Sequence, residues 1–400
     1  MAKVLMFNFP GEGHVNPTLA LVEELIRRGE DVIYYCTEEY RRKIEKTGAS
    51  FRPYENFLVQ IDMIERMNGK TNPHELLLHM VKSMDNIIKI ILEEIKEEEY
   101  DYVIYDNNFA VGWIVAEALK LPKISSCTTF AVTKKLFTAL MKNQNEGDKK
   151  ASFYQEAMNI LEKWQEIYGI SMNEKQNVMT CPGNITIVYT SKFFQPDVEE
   201  FDDSYIFVGP SIPPRQDVQN ISFKQKKVDR LIFISMGTVF NQQLDFYYTC
   251  FEAFKNTPAT IILSVGKHID ISELNNIPSN FRVYNYVPQL EVLKQANLFI
   301  THGGMNSSSE SLYFGVPMVV IPVMGDQPIV AQRIEELKAG IQLSRKNLIP
   351  EVLRNTAMHV LSNDIYSENS YKIGGSLKNA GGYSKAVEAI DIFKFKMGIK

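Results

Sequence analysis

From one end to the other, short runs of β-branched and aromatic residues alternate with longer stretches whose apolar positions follow helical spacing. In the first half, "KVLMFNF" (3–9), "DVIYYCT" (31–37), "DYVIYD" (101–106), "KISSC" (123–127) and "ITIVYTS" (185–191) read as strands. Helices are predicted between them, over 17–28, 38–47, 74–98 and 110–120. Many of the strands are apolar on both faces, as strands of a parallel sheet are when helices cover both sides. Helix 17–28 has its own punctuation, with Asn16 as N-cap, Pro17 at the first helical position and Gly29 past the end.

The rhythm breaks at "VGPSIPPRQDVQNISFKQKKVD" (208–229), a proline-rich polar stretch that reads as a linker. It restarts with strands at "RLIFISMG" (230–237), "ATIILSVG" (259–266), "FRVYNYV" (281–287), "LFITHGG" (298–304) and "VPMVVIPV" (316–323). The expectation is an α/β protein of two doubly wound, Rossmann-like domains facing each other across a cleft. The first covers 1–210, a linker 211–229, the second 230–380, and a final helical stretch 381–400 follows. In such domains ligands gather at the C-terminal ends of the strands, so the turns after 3–9, 101–106, 230–237 and 298–304 are the ones to inspect.

Four hundred residues suit two domains, and 45% apolar with 23% charged residues is ordinary for a globular chain. A net charge of −5 argues against a nucleic-acid partner. The four cysteines lack metal-ligand spacing and read as buried thiols of a reduced compartment. There is no signal-peptide pattern and no apolar run approaching the ~20 residues of a membrane span. A cytoplasmic monomer with no stable membrane insertion is therefore expected.

The first turn, "GEGHVN", is a partial dinucleotide fingerprint with Asn16 in place of its third glycine; Glu38 or Glu39 supplies the acid such a site wants. Its distinctive residue is His14. A helix N-terminus disfavours imidazolium, so a histidine there tends to stay neutral and available as a base. Asp106 ends the strand 101–106 and points to the same cleft. By accepting a hydrogen bond from the imidazole, it fixes the tautomer and stabilises the imidazolium formed on proton uptake. Capping or packing roles for either residue stay open at this point.

The second half carries the longer motif, "NYVPQLEVLKQANLFITHGGMNSSSESLYFGVPMVVIPVMGDQPIVAQRIEEL" (285–337). After the strand come His302, Gly303 and Gly304, then a helix opening at Met305-Asn306-Ser307. Glycines permit close approach, and the free N–H groups of a helix start attract phosphate. Asn306 and Ser307 add donors, and Glu310 can accept from ribose hydroxyls. The turn "SMGTVF" (235–240), with Gly237 and Thr238, donates to the same diphosphate. Asp326 and Gln327 of "GDQ" suit sugar hydroxyls. No DxD pair occurs in the chain, so no metal is expected to hold the diphosphate.

These residues resemble the signature of the GT-B UDP-glycosyltransferases, in the bacterial macrolide and flavonoid glucosyltransferase branch of the UGT superfamily. "GHVNPTLALVEEL" is similar to the family's N-terminal catalytic segment, and "VPQLEVL…HGGMNSSSE…GVPMVVIP…DQ" to its donor signature. The resemblance implies His14 as catalytic base and Asp106 as its partner. It implies phosphate contacts from Gly237, Thr238, His302, Gly304, Asn306 and Ser307, and a ribose contact from Glu310. Tyr286, Val287 and Gln289 fall at the nucleoside, with Tyr286 where plant members place a tryptophan; Asp326 and Gln327 match the pair that reads the donor sugar.

The implied reaction moves glucose from UDP-glucose, with inversion and without metal or other cofactor, to a hydroxyl of a hydrophobic acceptor such as a flavonoid, phenol or macrolide. The Met-, Leu- and Phe-rich segments 57–84 and 128–141 suit the walls of an acceptor site, though core packing explains the same residues. The C-terminal helix is implied to cross back onto the N-terminal domain. Competing readings are a UDP-sugar epimerase or hydrolase on the same fold, a non-catalytic partner of a true transferase, and a nicotinamide dehydrogenase.

Overall fold

The structure, a computed structural model, describes residues 1–60, 73–133, 152–170, 180–212, 230–237 and 243–400. By contact it divides into two units. The first comprises Met1–Tyr189, Asp197–Ser211 and Gly381–Lys400; the second comprises Thr190–Pro196 and Ile212–Ala380.

The first unit is built on a seven-stranded sheet in the order β3-β2-β1-β4-β5-β6-β7, every pair parallel. Its strands are β1 (Lys3–Phe7), β2 (Asp31–Cys36), β3 (Ser50–Pro53), β4 (Tyr102–Asp106), β5 (Lys123–Cys127), β6 (Ile185–Val188) and β7 (Tyr205–Phe207). Side chains alternate across the sheet. Leu5 and Phe7 of β1 join one core cluster, together with residues of the helices Pro73–Glu94, Ala110–Ala118 and Ser152–Tyr168. Val4 and Met6 face the other cluster, under the helices Glu12–Arg27 and Gly382–Met397.

The second unit repeats the plan with six parallel strands, ordered β10-β9-β8-β11-β12-β13. They are β8 (Leu231–Ser235), β9 (Thr260–Ser264), β10 (Phe281–Tyr284), β11 (Leu298–Thr301), β12 (Met318–Val320) and β13 (Gly340–Gln342). Both sheets thus have the doubly wound order in which the chain reverses direction beside the first strand. That places a switch point between β1 and β4 in one unit and between β8 and β11 in the other.

Three local features differ from the sequence reading. The first helix begins at Glu12 rather than Pro17, with extended Gly11 at the N-cap position and Pro17 inside it. Asn16 is therefore not the N-cap. A proline as the sixth helical residue forfeits one backbone bond, and the side-chain amide of Asn8 donates to the His14 carbonyl beside it, at 2.8 Å. Secondly, the short strands β3, β7 and β13 had no apolar run to announce them. Thirdly, Thr190–Pro196 packs within the second unit. The Arg333 guanidinium donates to the carbonyls of Phe193 and Phe194 at 3.1 and 3.0 Å, and Ser191 and Ser376 share a hydroxyl hydrogen bond of 2.8 Å.

The helix Gly382–Met397 belongs to the first unit. The Gly382 N–H donates to the Val208 carbonyl, Arg28 pairs with Asp391 at 2.6 Å, and Lys394 pairs with the buried Glu30. Among the described residues no helix is long and apolar enough to cross a membrane.

Candidate active site

At the switch point of the first unit, β1 runs out at Phe7 and the chain enters the helix Glu12–Arg27, with His14 in its first turn. The neighbouring strand β4 ends in Asp106, whose side chain is wholly buried. The two meet: Nδ1 of His14 lies 2.8 Å from Oδ2 of Asp106. Oδ1 of Asp106 accepts from the Asn108 N–H at 2.8 Å, so the carboxylate is held at both oxygens. A carboxylate has only lone pairs to offer, so the imidazole presents its proton at Nδ1 and its lone pair at Nε2.

The ring is fixed on further sides. Phe9 lies against it, centroids 4.8 Å apart, and is itself backed edge-on by Phe57 and Phe109. A side chain on Gly11 would put its Cβ 3.2 Å from Cδ2 of the histidine. The hydroxyl of Thr128, just past the end of β5, sits 3.2 Å from Nδ1. The sequence reading placed Thr128 only in a candidate acceptor wall. Its approach to His14 depends on the pairing of β4 with β5, where Asp106 stands opposite Ser126.

Burial around the pair keeps nearby weak acids protonated. Desolvation pushes the Tyr34 and Tyr54 hydroxyls and the Cys181 thiol up, and the Asp106 charge adds to each. The Tyr54 hydroxyl donates to the Asn8 carbonyl at the end of the same turn. In the segments read as acceptor walls, Phe57, Leu78, Val81, Met84 and Phe130 are all buried. The remainder of the proposed acceptor walls, 61–72 and 134–141, lies outside the described residues.

The switch point of the second unit also carries a histidine. His302 follows β11, and the Cε1–Nε2 edge of its ring lies close against two glycines. A Cβ on Gly237 would approach Cε1 to 2.6 Å, and one on Gly304 would approach Nε2 to 2.6 Å. Gly237 and Gly303 have φ of +76° and +83°, which a side chain would strain. Burial pulls the His302 imidazole down to about 4, so the ring is neutral and acts through one N–H and one lone pair.

The helix Met305–Tyr313 starts directly after these glycines. Oδ2 of Asp326 accepts from the Met305 N–H at 3.3 Å, which puts an acid of the GDQ turn at the positive end of that helix. Gln289 donates from Nε2 to Oε2 of Glu310 at 2.7 Å and to the Ser307 hydroxyl at 3.2 Å, so these three form one cluster. Tyr286 is 75% exposed, whereas the Val287 side chain is buried and offers a ligand only its backbone. Gln327 is also buried. Its carbonyl oxygen accepts from the N–H groups of Val323 and Met324 at 2.8 and 3.1 Å, leaving its NH₂ as the end that can meet a sugar. Asn306 lies in the first turn of the same helix. Thr238 lies outside the described residues.

Two parallel sheets, one with a His–Asp pair at its switch point and the other with a glycine-lined turn entering a helix, are the architecture of a GT-B type of protein. Comparison with known proteins gives the family. Over 395 residues the chain is 42% identical to a Bacillus subtilis (strain 168) protein named uncharacterized UDP-glucosyltransferase YojK, covering 98% of this chain and 97% of that one. It is 34% identical over 401 residues to NDP-glycosyltransferase YjiC of the same organism, covering 99% and 98%. The family model of the erythromycin biosynthesis protein CIII-like C-terminal domain matches residues 251–379. Two solved structures are similar over 98% of both chains: the glycotransferase of kitacinnamycin, with a TM-score of 0.86 at 27% identity, and CalG4, the calicheamicin glycosyltransferase, at 0.84 and 25%. The chain belongs to the bacterial GT-B glycosyltransferases, enzymes that transfer sugars from nucleotide donors.

Proposed function

We propose that the protein transfers glucose from UDP-glucose to a hydroxyl of a hydrophobic acceptor, a flavonoid, phenol or macrolide, with inversion and without a metal. The observation that carries the reading is the 2.8 Å contact between Nδ1 of His14 and the buried carboxylate of Asp106. It leaves the Nε2 lone pair to take the acceptor's proton. The acceptor oxygen forms a bond to the anomeric carbon as the bond from that carbon to the diphosphate breaks. The electron pair leaves with UDP, the proton stays on Nε2, and the Asp106 charge balances the imidazolium. Attack opposite the leaving group turns an α-linked donor into a β-glucoside.

The donor belongs to the second unit. Gly237, Gly304, Asn306, Ser307, His302 and, by resemblance, Thr238 receive the diphosphate through neutral donors. Glu310 and Gln289 receive the ribose, Tyr286 stacks on the base, and Asp326 and the Gln327 amide read the sugar. The word glucosyltransferase in the name of the YojK relative supports glucose. Neutral donors make metal-free binding of the diphosphate the natural assignment. A soluble cytoplasmic monomer remains part of the same proposal.

The test is release of UDP from UDP-glucose in EDTA, with and without a flavonol, by wild type and His14→Ala. Acceptor-dependent release that mass spectrometry ties to a glucosylated product, and that collapses in the variant, is the expected result. Turnover of the donor without acceptor, untouched by the substitution, would instead make the protein an epimerase or hydrolase.

A further inference from the structure

We infer that Thr128 is a positioning residue for His14, the third member of a group contributed by three neighbouring strands. The inference deepens the reading of His14 as base and rests on it. The strands β1, β4 and β5 are adjacent in the sheet. At their C-terminal ends stand His14, in the first turn of the helix that follows β1; Asp106, the last residue of β4; and Thr128, the first residue past β5.

Nδ1 of His14 faces two oxygens, Oδ2 of Asp106 at 2.8 Å and the Thr128 hydroxyl at 3.2 Å. The two do different work. The carboxylate accepts only, so it keeps the proton on Nδ1 and sets the tautomer. A hydroxyl can accept from Nδ1–H or donate to a bare Nδ1, so threonine alone would select neither form. One hydrogen bond leaves a ring free to pivot about the N–H···O line. A second oxygen beside it, with Phe9 packed against the imidazole at 4.8 Å, fixes the plane and therefore the direction of Nε2.

Thr128 is only 2% exposed, and among the described residues its hydroxyl has no second hydrogen bond. Its oxygen dipole therefore acts on the imidazole at short range in a poorly solvated setting, where it favours the charged ring most.

Among the ionisable groups near the ring, Asp106 is charged and in contact with it. Tyr34, Tyr54, Tyr189, Cys127 and Cys181 stay neutral, pushed up by burial. Glu12, in the same helical turn, is paired with Lys43.

The experiment is nitrogen NMR of the full chain with ¹⁵N-labelled imidazoles and no substrate present. His14 is assigned among the six histidines by the His14→Gln variant. Thr128→Val is expected to leave the proton on Nδ1 but lower the His14 pKa by about half a unit, and Thr128→Ser to restore it. Thr128→Ala gives the same reading with less side-chain volume, should valine crowd the site.

In turnover the valine variant should lose about three- to tenfold in kcat with the donor KM unchanged, and serine should recover it. A His14 titration identical in wild type, Thr128→Val and Thr128→Ala, or a shift that serine does not reverse, would overturn the inference. Because the titration is read without substrate, a protein that transfers no sugar would count against the proposed reaction and leave this test standing.

Discussion

Nε2 of His302 lies 2.6 Å from where a Cβ on Gly304 would be. A Cβ on Gly237 would come equally close, 2.6 Å from Cε1, so both glycine backbones crowd the Cε1–Nε2 edge of the imidazole. Gly304 has an ordinary negative φ of −60°, so Gly304→Ala tests this contact without backbone strain. The variant should lose about 1–3 kcal/mol, the usual range for overpacking, and bind UDP more weakly. His302→Ala in the same background should return most of the stability but not the UDP affinity. Thermal melting and calorimetric titration with UDP read the two effects apart.

The low pKa of His302 makes an acid-sensitivity prediction with a definite sign. Unfolded, the imidazole takes a proton near its usual 6.5; folded, it does so only near 4. Between those values the unfolded chain binds more protons, so stability is full above pH 6.5 and falls as the pH drops toward 4. The fall is on the order of 3 kcal/mol for a shift of this size. Hydrogen exchange of the β8 and β11 amides should show it, and His302→Gln should flatten the dependence. An equal acid dependence in that variant would locate the effect elsewhere.

The alternation of elements was legible because strands such as β1, β4 and β8 are apolar runs buried on both faces. The sequence has no comparable signal for β3, β7 and β13, edge or outer strands of three or four residues whose extension depends on a partner. The start of the first helix was misread because Pro17 looks like a first-turn residue, while Gly11, which lies at the N-cap, gave no side-chain signal. His14 and Asp106 stood out as polar residues at the ends of apolar strands. Thr128 did not. Its role depends on which strand lies next to β4, and that is set by sheet order rather than local pattern.

Asp106→Asn should be a severe variant with a nearly unchanged shape. The amide can still accept from the Asn108 N–H, but it carries no charge and can turn its NH₂ toward Nδ1. That turn favours the wrong tautomer, with the proton on Nε2. A loss of about 10²–10⁴-fold in kcat is expected, while UDP affinity, assigned to the second unit in the proposed reaction, stays within twofold. If kcat held while the acceptor KM rose, Asp106 would be shaping the acceptor site instead.

The C-terminal helix should stabilise the first unit through one ion pair more than through its surface charges. Lys394 reaches Glu30, and the two side chains are 14% and 5% exposed. Among the described residues, the other polar contact to that carboxylate is the Tyr102 hydroxyl, at 3.5 Å. Lys394→Met keeps an apolar stem of similar length but strands the carboxylate, a change that costs about 3–5 kcal/mol at a buried pair. Asp391→Asn removes the more exposed pairing with Arg28, whose guanidinium keeps its contact with Glu24, and should cost under about 1 kcal/mol. Both tryptophans of the chain, Trp113 and Trp164, lie in the first unit, so tryptophan fluorescence during urea unfolding follows that unit alone. Adding Glu30→Gln to Lys394→Met should recover most of the loss, because no buried charge is then left without a partner. If the double variant were as unstable as the single one, packing of the lysine stem rather than the ion pair would be what holds the helix there.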